Sequence, residues 1–267
     1  MRSNRGTRMG GRFFQARIVL VLLAVIGAGC FIPAGCSTMA KEKRDKSGQA
    51  HYKLGISYLN DNQTQLAFIE FQKAIEANPK DRDSHYGLGH IYFVQGKFKE
   101  SGEAFKKAIR IDPNYSEAHN YLGTVYERLS DPDSAIGEYQ KALANPQYVT
   151  PQYAYHNLGM IYLNTNKYKE AVKYFKSALQ VAPDYALAYN GLGQAYYRDG
   201  QYKEAADAFN VALKIVPEYP EARFFLGQSY FKIGSNQLAK EEFERVIQLA
   251  PDSDLAKKSK QNLDLLR

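Results

Sequence analysis

At 267 residues the chain is long enough for one or two domains with ample core, and its formal charge of +7 would suit an acidic partner such as nucleic acid. That charge is unevenly placed. Arg2, Arg5, Arg8, Arg12 and Arg17 stand in the first 35 residues with no acidic residue among them, whereas residues 36–267 carry 30 Lys+Arg against 28 Asp+Glu. A nearly neutral body with interleaved signs has little sequence-independent attraction for a phosphate backbone, which argues against nucleic acid.

Behind the arginines runs Ile18-Val-Leu-Val-Leu-Leu-Ala-Val-Ile26. The uncharged stretch from Ile18 to Ile32 is 15 residues, short of the roughly 20 that a spanning helix needs. Basic start, short apolar run and small-residue exit read as a secretory signal over residues 1–35. The other reading is an uncleaved N-terminal anchor.

The only two cysteines, Cys30 and Cys36, close this segment within the stretch AGCFIPAGCST. A disulfide between them would close a tiny loop in a tail and stabilise little. A redox pair usually accompanies a βαβ pattern, which is absent. Apolar run, small residue, Gly, Cys instead resembles the lipobox of bacterial lipoproteins. In that family the thiol receives a diacylglyceryl group, the peptide is cut before it, and the new amine is acylated; more than one acyl chain makes membrane binding stable. Ile26-Gly27-Ala28-Gly29 before Cys30 fits the loose pattern, while Ser37-Thr38 and the polar stretch after Cys36 fit the start of a mature lipoprotein. Lipidation is assigned to Cys36, with Cys30 as the alternative. Neither is followed by Asp, so the resemblance implies the periplasmic face of the outer membrane. Residues 36–47 read as a flexible lipidated tether.

From residue 48 an internal repeat fills the chain. Leu-Gly-x-x-Tyr occurs six times, with its glycines at Gly55, Gly89, Gly123, Gly159, Gly193 and Gly227. Twelve residues after each stands Ala or Ser, sixteen after it Phe or Tyr, and nineteen after it Ala or Val. Pro79, Pro113, Pro146, Pro183, Pro217 and Pro251 close the units. Small residues suit the close approach of two antiparallel helices, aromatics fill the space beside it, and Pro stops the second helix. This pattern is identified as that of the tetratricopeptide repeat. The resemblance implies an all-α, right-handed solenoid of six helix hairpins at 48–81, 82–115, 116–149, 152–185, 186–219 and 220–253. Each hairpin leaves an apolar face for the next, so the array needs an end. Residues 254–267 keep helical spacing through Leu255, Leu263 and Leu266, with Lys257, Lys258 and Lys260 outside, and read as a capping helix.

His51, His85 and His119 recur at the fourth position of three units, where this repeat usually has Trp. They read as packing residues rather than metal ligands. No His, Cys and carboxylate cluster has ligand spacing, and no Gly-rich phosphate loop, nucleophile elbow or H-E-x-x-H is present. The expectation is a protein without enzymatic activity, metal or cofactor.

In the repeat family, positions 2, 5, 9 and 12 of each unit face a concave groove. Here they imply a partner-binding surface of Tyr52, Tyr86, His90, Phe93, Asn120, Tyr153, His156, Asn190, Gln194, Tyr197, Phe224, Gln228 and Phe231. Chaperone-cofactor members grip a terminal carboxylate with Lys and Arg at positions 5 and 9; this chain has neither there. Aromatic and apolar residues beside Asn and Gln suit an amphipathic protein segment whose backbone is held by side-chain amides.

Between the third and fourth units the chain reads ALANPQYVTPQYAYHNLG, two residues longer than elsewhere, and Pro146 and Pro151 make that connection stiff. The lipobox, the six repeats and this turn together resemble the outer-membrane lipoproteins of type IV pilus biogenesis, the pilotins that bring secretin subunits to the outer membrane. The resemblance implies a lipid-anchored scaffold with a secretin subunit as partner. The alternative is a general envelope adaptor that docks peptidoglycan hydrolases, proteases or outer-membrane assembly factors.

Overall fold

The computed structural model describes residues 34–266. Cys30 and the rest of the expected signal up to residue 33 lie outside the described residues. Cys36 falls within the first helix, but its side chain is not among those described.

Thirteen helices and no strand make up the described residues. Helices α1 (Ala34–Asn60) and α2 (Thr64–Ala77) form the first hairpin, α3 (Arg82–Val94) and α4 (Phe98–Ile111) the second. The third is α5 (Ser116–Arg128) with α6 (Pro132–Ala144), and the fourth α7 (Pro151–Asn164) with α8 (Tyr168–Val181). Then come α9 (Ala186–Arg198) with α10 (Tyr202–Ile215), α11 (Pro220–Ile233) with α12 (Asn236–Leu249), and a last helix, α13 (Asp254–Asp264). Each helix packs on its chain neighbours, and first helices of successive hairpins also touch, α1 on α3 through to α11 on α13. Such nearest-neighbour packing makes a quasi-one-dimensional stack with the first helices in one row.

The repeated residues explain the stack. Phe71, Phe105, Tyr139, Phe175, Phe209 and Phe243 are fully buried. A Cβ on the repeat glycine of the same hairpin would lie 2.6 to 2.8 Å from the ring, closer than real atoms approach. Glycine is therefore required there by the backbone-to-ring distance. Ser101 takes the place of the usual alanine and donates its hydroxyl to the Gly89 carbonyl at 2.8 Å, which satisfies the buried polar group.

Two further regularities concern the connections. A left-handed residue stands in the turn within every hairpin: Asn62, Gly96, Ser130, Asn166, Gly200 and Gly234. Between hairpins, the fourth position of a unit reaches back to the preceding proline. His85 and His119 approach the Pro79 and Pro113 carbonyls, each at 3.1 Å, and Arg223 donates to the Pro217 carbonyl through Nε and Nη2 at 3.2 and 2.9 Å. On its other side this residue meets a glutamate of the second helix: His51 with Glu70 and His119 with Glu138, both at 2.6 Å, and Arg223 with Glu242 at 2.8 Å. His51 and His119 thus tie the two helices of their own hairpins together, and His85 and His119 tie theirs to the turn before them.

The cap forms as the spacing predicts. Ser253 accepts the Ala256 N–H at 3.1 Å to start α13, and Leu255, Leu263 and Leu266 pack on the Phe224–Phe243–Val246 cluster. At the other end the expected flexible tether is corrected. Residues 36–47 belong to α1, which runs unbroken from Ala34 to Asn60. The run Met39-Ala-Lys-Glu-Lys-Arg44 is made wholly of strong helix formers, and a Glu42–Lys46 pair at 2.8 Å spans one turn. Among the described residues no helix is long and apolar enough to cross a membrane.

Candidate functional site

The row of first helices presents positions 2, 5, 9 and 12 of the six hairpins on one face. Asp83, Glu117, Glu127 and Glu221 occupy those positions and no Lys or Arg does. In a body whose two signs nearly balance, this face is acidic.

Its main concavity is a recess of about 410 Å³ in the middle of the stack. Tyr86 comes from α3, Glu117, Asn120, Tyr121 and Thr124 from α5, Tyr153 and Asn157 from α7, and Tyr148 and Thr150 from the longer turn. The two-residue insertion therefore builds a wall of the recess. It does so because the α6–α7 connection is pinned: Asn145 Nδ2 donates to the Asn114 carbonyl at 3.0 Å and to Ser116 Oγ at 3.1 Å, and Pro151 starts α7. Tyr148 is buried against the Tyr139–Leu158 cluster, whereas its neighbour Val149 is 81 % exposed.

The aromatic walls interlock. Tyr86 and Tyr121 meet edge to face at 5.6 Å, and Tyr121 stacks on Phe105 at 5.5 Å. Burial raises the phenol pKa of Tyr86 and Tyr121, and that of Tyr148 to about 12, so the walls are neutral near physiological pH. Nearby, Tyr139 donates to Glu127 and shares a 3.1 Å hydrogen bond with Thr124. Burial raises the Glu127 pKa, against the lowering effect of the Tyr139 bond. Asn120 is only 9 % exposed and its Oδ1 has no hydrogen-bond partner in the protein. An orphaned buried acceptor is costly unless something fills it.

A similar arrangement recurs at the fifth and sixth hairpins. Asn190 Nδ2 donates to Tyr219 Oη at 3.0 Å and Glu221 Oε2 at 3.4 Å, and Gln194 Nε2 donates to Glu221 Oε1 at 3.2 Å. Again the Asn190 Oδ1 is buried without a partner. Two amide oxygens on the same row are thus buried without a partner in the protein.

The expected groove residues divide into two sets. Tyr86, Asn120 and Tyr153 come together in the recess, with His90 against Tyr121 at 5.5 Å and Phe93 beside the same ring at 6.2 Å. Asn190, Gln194 and Tyr197 lie along α9, and Gln228 and Phe231 are half-buried on α11. Tyr52 packs on Phe71, and His156 on Phe175 and Tyr185. Phe224 is sealed between Phe243 and the capping helix, so its ring serves the core. The recess also draws on Glu117, Tyr121, Thr124, Tyr148, Thr150 and Asn157, which are outside the expected set. Glu117 was legible from position 2, where only Tyr153 had been counted.

Another cleft, of about 560 Å³, lies between α2, α3 and α4 and carries both signs through Lys99, Glu100, Glu103 and Lys107. Where His51, His119 and Arg223 each meet a glutamate, His85 has Ala104 at the equivalent position, and both residues line this cleft. Among the described residues no three His, Cys, Asp or Glu side chains come together as a metal centre would need.

Stacked hairpins with first helices in one row and a buried aromatic ring against each repeat glycine define a tetratricopeptide-repeat scaffold. Family models of the tetratricopeptide repeat match residues 48–81, 89–130, 156–220 and 197–263, and those stretches leave out 131–155, where the longer turn lies. No curated protein matches the chain. Among solved structures it is similar to PilW, a widely conserved type IV pilus biogenesis factor, at 22 % identity, covering 79 % of this chain and 97 % of that one with a TM-score of 0.72. The pilF protein of Pseudomonas aeruginosa is 19 % identical over 82 % of this chain and 99 % of its own, TM-score 0.75. YrrB, a repeat protein with an unusual peptide-binding site, is 24 % identical over 69 % and 94 %, TM-score 0.54. At these identities the likeness is one of fold.

Proposed function

We propose that this chain is an outer-membrane lipoprotein that holds a segment of a type IV pilus secretin subunit against its inner face and so assists assembly of the secretin ring. The observation that carries the pilus reading is the likeness to PilW and pilF over nearly their whole length. The two buried, unpaired amide oxygens support the holding of a segment. The apolar run ending in Cys30 and Cys36 supports the anchor. Escort needs no bond-making chemistry: confining subunits to one membrane raises their effective concentration and favours the ring.

Deleting the gene tests this. Secretin multimers are expected to disappear while monomers persist; unchanged multimers overturn the pilus reading. Co-purification of peptidoglycan hydrolases with intact pili would favour the general adaptor instead. Palmitate labelling tests the anchor: label lost in Cys36→Ser but kept in Cys30→Ser supports the assignment, the reverse moves the lipid to Cys30, and an unlabelled wild-type chain ends it.

A further inference from the structure

We infer that the recess between the second and fourth hairpins is a pocket for an arginine side chain of the bound segment. This rests on the reading that the inner face holds a protein segment, and it names the chemistry of one residue of that segment. Tyr86, Tyr121, Tyr148 and Tyr153 line the pocket, together with one carboxylate, Glu117, and one buried acceptor, Asn120 Oδ1, that has no partner in the protein. No Lys, Arg or His lines it.

An apolar or an anionic occupant leaves something unsatisfied. An apolar side chain would cover the Asn120 carbonyl oxygen and desolvate Glu117 with no compensating bond. An anion would meet Glu117, and beyond it an inner face whose other fixed charges are Asp83, Glu127 and Glu221. A guanidinium satisfies every element at once. Its plane stacks on tyrosine rings, and its fork of N–H groups donates to a carboxylate and an amide oxygen together. The protein makes the same pairing with its own residues close by: the Arg82 guanidinium sits 4.6 Å over the Tyr115 ring and bonds Asp112, and Tyr115 is itself 5.2 Å from Tyr86.

Glu117 also stands in the first turn of α5, where the helix dipole favours a carboxylate. That would account for the charge but not for four tyrosines and an orphaned amide around it. Nor would it account for a turn lengthened by two residues that delivers Tyr148 and Thr150 to the same place.

Ligand-observed saturation-transfer NMR on the full chain in detergent tests the pocket. The probes are N-acetyl-arginine methylamide and its citrulline analogue, which has nearly the same shape without the charge. The arginine compound is expected to bind about fivefold more tightly or better. Glu117→Gln and, separately, Tyr153→Ala are each expected to weaken it about threefold or more, with helicity retained. Glu103→Gln in the outer cleft is expected to leave it unchanged. Equal binding of the two probes, or an unchanged arginine signal in Glu117→Gln, overturns the inference. The result is separable from the pilus reading: lost secretin multimers without arginine selectivity remove the pocket alone, and arginine selectivity with intact multimers removes the secretin alone.

Discussion

Phe175 lies between Gly159 of its own hairpin and Gly191 of the next, and a Cβ on either would come within 2.7 or 2.5 Å of its ring. One side chain therefore sets both the spacing within a hairpin and the spacing between hairpins. Gly191→Ala is expected to destabilise the fold by about 1–3 kcal/mol through overpacking. Gly137→Ala, inside α6 with nothing within 4 Å of the added carbon, is expected to stabilise it by up to about 1 kcal/mol. Urea unfolding of the two variants beside the wild type measures the contrast; equal effects would show that the ring moves aside.

Ser130 holds the left-handed turn position of the third hairpin at φ 61°, where the other hairpins use Asn or Gly. A side chain that neither lacks a Cβ nor is enriched in that region is strained there. Ser130→Gly is expected to raise stability by about 0.5–1 kcal/mol, read as an upward shift of the thermal midpoint; a lower midpoint would show that the serine side chain contributes more than its backbone costs.

Arg223 spans the junction between the fifth and sixth hairpins, donating to the Pro217 carbonyl and to Glu242 from a largely buried position. Arg223→Ala leaves both acceptors short of a donor and is expected to cost about 1.5–3 kcal/mol. In a nearest-neighbour stack that loss falls on the terminal units. Hydrogen exchange should therefore quicken in α11–α13 before it does in α3–α8, and uniform quickening would contradict the local clamp.

Burial holds the imidazoles of His85, His90 and His156 below their usual 6.5. The folded chain thus prefers them neutral, and the unfolded chain binds more protons as the medium turns acidic. Stability from this source is complete above about 6.5 and falls as pH drops below it. A second loss begins under about 4.5, where hydrogen bonds from Lys73 and His51 keep Glu70 ionised only in the fold. Urea midpoints across this range should fall in both windows, and His156→Gln should flatten the first. A midpoint insensitive to pH between 6.5 and about 5 would contradict it.

Much of this architecture was legible because it rests on single-residue requirements at fixed offsets. Gly beside an aromatic ring, Ala at helix crossings and Pro after the second helix are each dictated by one local contact. The turn positions were harder to read, since Asn, Ser and Gly all serve at φ near 60–85° and share no side-chain chemistry. The helical run before Gly48 has no apolar period to read; it is held by intrinsic propensity and the Glu42–Lys46 pair. In the groove, positions along the first helices could be read by register. Tyr148 could not, since a loop residue's direction depends on how Asn145 pins the turn. Whether a groove residue faces outward or seals the core, as Phe224 does, depended on what packs behind it, here the capping helix.

The unbroken helix α1 carries one last implication. From Cys36 to Gly48 it has the geometry of a rod about 18 Å long, at 1.5 Å per residue. Whatever grips position 36 then dictates the stand-off and tilt of the first hairpin, and through it of the stack. A swivelling string would let the cradle sample every direction above its support; a stem aims it.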